Sequence, residues 1–122
     1  MNLVDSPGWI EYFSGGPLSD KYAQYLQEYS QVLTPTIVLY EVYKKIKKDF
    51  GEETAIHQAA QMQKTRVLPL IESIAFTAAD VSIKHSLPMA DAIVYATARE
   101  EKCKIVTSNS HFKGLPDVIF VE

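Results

Sequence analysis

Five short apolar runs, at residues 2–4, 31–34, 67–71, 104–107 and 118–121, alternate with stretches whose apolar residues recur every three or four positions. This alternation limits the fold more than any other feature. Runs this short cannot be helices and, lacking a regular polar alternate, read as strands buried on both faces. Helices are expected at about 7–13, 19–29, 36–50, 52–65, 73–84 and 90–102, with Pro7 early in the first, Gly15-Gly16-Pro17 behind it and Gly51 after the third. Strands and helices in this order build an α/β domain with a central, mainly parallel sheet of about five strands covered on both faces. Pro69 cannot donate to a ladder, so the run at 67–71 belongs at an edge.

The chain has 122 residues, of which 47% are hydrophobic and 11% aromatic, enough for one packed core, so residues 1–122 are expected to form a single domain. One cysteine, Cys103, excludes a disulfide-stapled scaffold. No basic segment precedes an apolar run at the N-terminus, and nothing approaches the roughly 18 apolar residues of a membrane span, so a cytoplasmic location is expected. Twelve basic residues against fifteen acidic ones give a formal charge of −3, which counts against a nucleic-acid partner.

In sheets of this kind ligands bind beyond the carboxyl ends of the strands. Asp5 directly follows the first strand, where it can also serve as a helix N-cap. Glu41 is the only charged residue in Ile37-Val38-Leu39-Tyr40-Glu41-Val42-Tyr43, with an i,i+4 pair to Lys45 as its structural alternative. Asp91 interrupts Leu87-Pro88-Met89-Ala90-Asp91-Ala92-Ile93-Val94-Tyr95-Ala96-Thr97-Ala98, and a first-turn acid favoured by the helix dipole is its alternative. Three converging carboxylates repel one another unless a cation joins them, and a hard divalent ion takes such oxygen ligands. Cys103, His57, His85 and His111 show no zinc-ligand spacing, and no glycine-rich phosphate loop is present. Thr107, Ser108 and Asn109 follow the fourth strand at the same sheet edge as Asp5, where a capping turn is equally well served.

These residues, in this order, resemble the PIN-domain nucleases, in particular the VapC-type toxins of toxin–antitoxin pairs. The resemblance runs from Leu3-Val4-Asp5-Ser6 and Trp9-Ile10-Glu11-Tyr12-Phe13 through Pro35-Thr36 and Tyr40-Glu41-Val42 to Met89-Ala90-Asp91-Ala92-Ile93. It ends with Ile105-Val106-Thr107-Ser108, His111-Phe112 and Leu115-Pro116. It implies a PIN-like three-layer α/β/α fold and an endoribonuclease that depends on Mg²⁺ or Mn²⁺ and leaves a 3′ hydroxyl and a 5′ phosphate. The family's first three acids fall on Asp5, Glu41 and Asp91, which thereby become the expected catalytic and metal-holding residues. The fourth falls on Asn109, a departure that offers an amide oxygen without charge and puts a second metal in doubt. A cognate antitoxin and a homodimer are implied in the same way, with Trp9, Tyr12 and Phe13 candidates for the antitoxin groove or for the core.

An acidic pocket needs positive charge nearby to attract RNA. Lys44-Lys45-Ile46-Lys47-Lys48 is the one basic concentration, and Lys45 and Lys48, at +4 and +7 from Glu41, share its helix side as candidate substrate contacts. A solvated helix end is the alternative. Ser6, Thr107 and Ser108 are hydroxyl groups that can position ligands or phosphate, and Arg99 is a further candidate phosphate or interface contact. Two rivals remain: a PIN-like binding module with weakened catalysis, favoured by Asn109, and a phosphoacceptor receiver domain. The latter needs an Asp after the middle strand and a Lys after a late one, whereas Glu72 and a strand-initial Lys104 stand there.

Overall fold

Strand β1 (Asn2–Val4) lies at the centre of a five-stranded, entirely parallel sheet of order β3-β2-β1-β4-β5, completed by β2 (Val32–Pro35), β3 (Arg66–Leu68), β4 (Lys104–Thr107) and β5 (Val118–Phe120). The computed structural model describes residues Met1–Glu122. Helices α1 (Ser6–Ser14) and α2 (Ser19–Ala23) link β1 to β2, and α3 (Thr36–Phe50) and α4 (Glu52–Met62) link β2 to β3. Helices α5 (Glu72–His85) and α6 (Met89–Glu100) carry the chain from one edge of the sheet to β4. The chain thus builds outward from β1 to β3, returns, and adds β4 and β5 on the other side. The strand order reverses between β1 and β4, and a crevice opens at their carboxyl ends.

Leu3, Val4, Val32, Leu33, Ile105 and Val106 are almost completely buried, as strands covered on both faces require. On the helices, Val38, Val42 and Ile46 form one inward stripe of α3, and Ile74, Ala78 and Val81 that of α5. Gly8 permits the close approach of α1 to α2 and β1, since a Cβ there would stand 2.5 Å from the Tyr22 ring and 2.8 Å from Val4. No helix is long and apolar enough to cross a membrane.

The structure shortens or turns several expected elements. The helix expected over 19–29 ends at Ala23, after which the Tyr25 and Leu26 N–H groups bond three residues back, and a 3₁₀ turn at Tyr29–Gln31 leads into β2. There Tyr22 and Leu26 are buried but Tyr25 and Tyr29 only partly so, giving too narrow an apolar stripe to hold a longer helix against the core. Ladder pairing at 66–68 stops before Pro69, in agreement with an edge strand. Ile56 and Ile83 are 56% and 83% exposed, because α4 buries Ala55 and Met62 instead and α5 turns its Ile74 side inward.

Candidate active site

Asp5 sits at the N-cap of α1 with φ −75° and ψ 167°, yet its side chain does not cap the helix. Instead its Oδ2 accepts a 2.9 Å hydrogen bond from the Thr107 hydroxyl across the β1/β4 switch point. The backbone N–H of Asp5 also continues the ladder to the Val106 carbonyl at 3.0 Å, which fixes the carboxylate beside β4. Burial pushes the Asp5 carboxyl from its ordinary 3.8 up to about 6, and the negative charges of Glu41 and Asp91 push the same way, against hydrogen bonds from the Ser6 N–H and Thr107. Glu41 and Asp91 thus lie near enough for their charges to bear on Asp5.

Glu41 does not pair with Lys45. Its Oε1 accepts a 2.7 Å hydrogen bond from the Ser6 hydroxyl, while Lys45 pairs with Asp49 at 2.9 Å. Nor is its stretch of helix largely buried: Tyr40 is exposed, Ile37, Leu39 and Tyr43 are half-buried, and only Val38 and Val42 lie fully inside. Ser6 is 7% exposed and lies one residue from Asp5, so β1 and the first residue of α1 deliver one acid and the clamp of another.

Asp91 stands in the first turn of α6, where the dipole favours it, but both of its oxygens are engaged. The Asn109 side-chain amide donates to Oδ1 at 3.1 Å, and Nδ1 of His111 lies 2.7 Å from Oδ2. Asn109 in turn receives the His111 backbone N–H on its own oxygen at 3.0 Å and gives its backbone N–H to the Thr107 hydroxyl at 3.0 Å. Its oxygen therefore caps the 3₁₀ turn Ser110–Phe112, while its amide nitrogen faces Asp91. Position 109 thus orients Asp91 through its amide nitrogen.

Sequence spacing did not connect His111 to this cluster. The signal was local: an Asn capping a one-turn helix brings the residue two positions later back over the sheet edge. Ser108, by contrast, turns to hydrogen-bond the Tyr22 hydroxyl, on the α2 side. Burial raises the pKa of that tyrosine, and the nearby Asp5 charge adds to the effect.

No three Asp, Glu, His or Cys side chains form a closed ligand cluster. The donors present are carboxylate oxygens held by hydroxyl and amide groups, with one imidazole at the rim, a set suited to a hard, partly hydrated cation rather than to zinc. The buried Asp5 carboxylate, with the half-buried Glu41 and Asp91 raising its proton affinity, is the feature such a cation would relieve.

The lysine run is partly neutralised. Lys45 pairs with Asp49 and Lys47 with Glu52 at 3.4 Å, and Lys44 lies over the Tyr40 ring, which leaves Lys48 without a partner. Lys45 also borders an apolar groove of about 220 Å³ between α1, α3 and α4, with Ile10, Phe13, Ile46 and Phe50. Trp9 is fully buried and Tyr12 only partly exposed, so of the three aromatic candidates only Phe13 reaches this groove.

An all-parallel sheet between helices, with three acids near the point where its order reverses, defines a three-layer α/β/α protein. Residues 3–118 match the family model of the PIN domain, so the chain belongs to the PIN-domain family. Its fold is that of the VapC-type toxins. A toxin–antitoxin complex from Klebsiella pneumoniae contains a chain 25% identical to it, with a TM-score of 0.83 over 98% of this chain and 96% of that one. VapC20 of Mycobacterium tuberculosis, a sarcin–ricin loop cleaving toxin, is 17% identical, with a TM-score of 0.75 over 93% and 92% of the two chains. VapBC2 from Rickettsia felis, solved bound to a DNA fragment from its promoter, is 16% identical, with a TM-score of 0.77 over 98% and 96%. No curated protein matches the chain.

Proposed function

We propose that this protein is a divalent-cation-dependent endoribonuclease, the toxin of a VapBC-type pair, cleaving RNA phosphodiester bonds at the β1/β4 crevice. The observation that carries this reading is the buried Asp5 carboxylate, raised to about 6 beside Glu41 and Asp91. Asp5 and Asp91 would hold Mg²⁺ or Mn²⁺, with Glu41 beside them. Such an ion supplies charge neutralisation at the phosphate and acidifies a water.

The chain's own residues do the rest. Thr107 fixes Asp5, and Asn109 and His111 fix Asp91, through the bonds described above. Glu41 is tied by one oxygen only, so its Oε2 is the carboxylate oxygen left to take the proton of the attacking water. Ser6 and Thr107 serve the acids rather than the substrate, and Lys48 is the unpaired cation of the lysine run that can meet an RNA phosphate. The cognate antitoxin would lay an apolar side chain in the Phe13–Phe50 groove, and self-association in the cytoplasm would cover the exposed Phe76 and Ile83 of α5.

Incubation of the purified protein with RNA and Mn²⁺ tests the reading. Cleavage with 3′ hydroxyl and 5′ phosphate ends, lost in Asp5→Asn and in Asp91→Asn, is the expected result. Equal products from all three proteins would mean a contaminating nuclease. RNA bound but uncut by the wild type would point to the alternative, a PIN-like binding module, which Asn109 in the place of an acid favours.

A further inference from the structure

At the opposite end of the sheet, where α6 hands over to β4, a cavity of about 260 Å³ is bordered by Tyr95, Arg99, Lys102, Lys104, Ile105 and Asp117 among its lining residues. Lys104 begins the strand that Thr107 ends, so this cavity and the acidic crevice are separated by the length of β4, roughly 10 Å. Arg99, Lys102 and Lys104 stand in no ion pair, whereas Lys45, Lys47, Arg66 and Lys113 each have a carboxylate within 4 Å. Asp117 is the only acid on the cavity wall, against three cations.

Cations at a helix C-terminus ordinarily serve the exposed carbonyls there. Here backbone groups already do so: the N–H groups of Glu101, Cys103 and Lys102 reach the carbonyls of Thr97, Ala98 and Arg99 at 3.1, 2.8 and 3.2 Å. The three side chains are left without that role.

The walls are also held in costly conformations. Only three non-glycine residues of the protein have positive φ, and two of them, Lys102 at 54° and Asp117 at 60°, border this cavity. Left-handed backbone at such residues persists where the surroundings impose it, and it concentrates at ligand-binding positions. The rim is pinned by the Tyr95 hydroxyl on the Pro116 carbonyl at 3.0 Å and by the Ile105 N–H on the Asp117 carbonyl at 2.9 Å. Unpaired cations around a preformed concavity are a site for an anion, and the planar fork of an arginine with two lysine point charges suits phosphate oxygens. The volume lies below the roughly 300–1,000 Å³ of pockets for larger organic ligands, which limits the occupant to one or two phosphate groups.

We propose that Arg99, Lys102 and Lys104 form a phosphoanion site at the amino end of the sheet, distinct from the carboxylate crevice and independent of what that crevice does. The phosphate can come from a free anion or from the terminus of a nucleic-acid strand, and both offer the same chemistry.

Amide shifts of the full chain, followed by NMR at constant ionic strength without divalent cations, test this with two probes: inorganic pyrophosphate and a 5′-phosphorylated thymidine dinucleotide. Saturable shifts at Lys102, Cys103, Lys104 and Asp117 are expected with pyrophosphate. The same shifts with the dinucleotide, absent when its 5′ phosphate is removed, identify a strand terminus as a source, and a response to pyrophosphate alone identifies a free anion. Either outcome supports the site. In the Arg99→Gln/Lys104→Gln double variant the affinity should fall about tenfold or more, since two charge-assisted contacts are lost, and Lys84→Gln should bind as the wild type does. Unchanged shifts elsewhere in the spectrum verify that the double variant is folded, and Lys102→Gly offers a second variant with one cation fewer. Shifts that never saturate, that centre on the Lys44–Lys48 run, or that survive in the double variant would overturn the proposal.

Discussion

The two ends of the sheet handle charge in opposite ways. At the carboxyl end the Asp5 carboxylate is buried near two like charges, and the fold holds it there with the Thr107 hydroxyl and the Ser6 N–H. At the amino end Arg99, Lys102 and Lys104 are exposed around a shallow cavity, where water screens their mutual repulsion. The buried Asp5 thus opposes folding when ionised, while the exposed cations cost mainly a strained backbone. On the proposed roles, charge that would act on a bond is kept dry, and charge that would only hold an anion is left wet.

Substitution at the crevice should show the largest effect. Asp5→Asn and Asp91→Asn are each expected to lower RNA cleavage with Mn²⁺ by on the order of 10³-fold, the loss of several kcal/mol of transition-state stabilisation, read from initial rates. A comparable loss from Lys102→Gly instead would reverse the assignment of the two ends.

Next in size is the cost of ionising Asp5. Its carboxyl holds a proton more tightly in the folded state, about 6, than in the unfolded chain, near 3.8, so folding stability falls as pH rises through that window. The upper bound is about 3 kcal/mol. Asp5→Asn should therefore melt at a higher temperature than the wild type at pH 8, with the difference gone near pH 3. Mn²⁺ should raise the melting temperature of the wild type at pH 8 but not that of Asp5→Asn. Equal melting curves of the two proteins at pH 8 would mean that burial does not strain this acid.

A smaller effect is expected from Thr107→Val, which removes the hydroxyl that favours the ionised Asp5. The acidic limb of the pH–rate profile should move upward by roughly one pH unit, the value of one hydrogen bond to a charged group. At the other end of the sheet, Lys102→Gly should raise stability by about 0.5 kcal/mol, because glycine adopts φ 54° without strain but loses more freedom on folding. Denaturant titration would measure it, and a loss of stability would show that Lys102 is not strained.

Much of this arrangement was readable from the chain. The apolar runs located all five strands, because a strand buried on both faces must be apolar throughout, and Pro69 marked an edge. Asp5 and Thr107 were legible as neighbours because both end strands of one parallel sheet. What stayed hidden depended on contacts between distant segments. Glu41 had a lysine at the right helical spacing, yet Ser6, 35 residues away, binds it. His111 looked like an isolated histidine until the turn behind Asn109 folded it onto Asp91. Ile56 shares helical spacing with Ala59, Ala60 and Gln63, but spacing fixes only which residues share a face, and neighbouring helices decide which face is covered.

The bond from Thr107 to Asp5 spans 102 positions of the chain. β1 can pair with β4, and Asp91 can meet Asn109 and His111, only after the segment through His111 has left the ribosome. While residues 1–100 are being made, the growing chain is incapable of assembling the crevice, so any activity housed there begins only once that later segment has emerged.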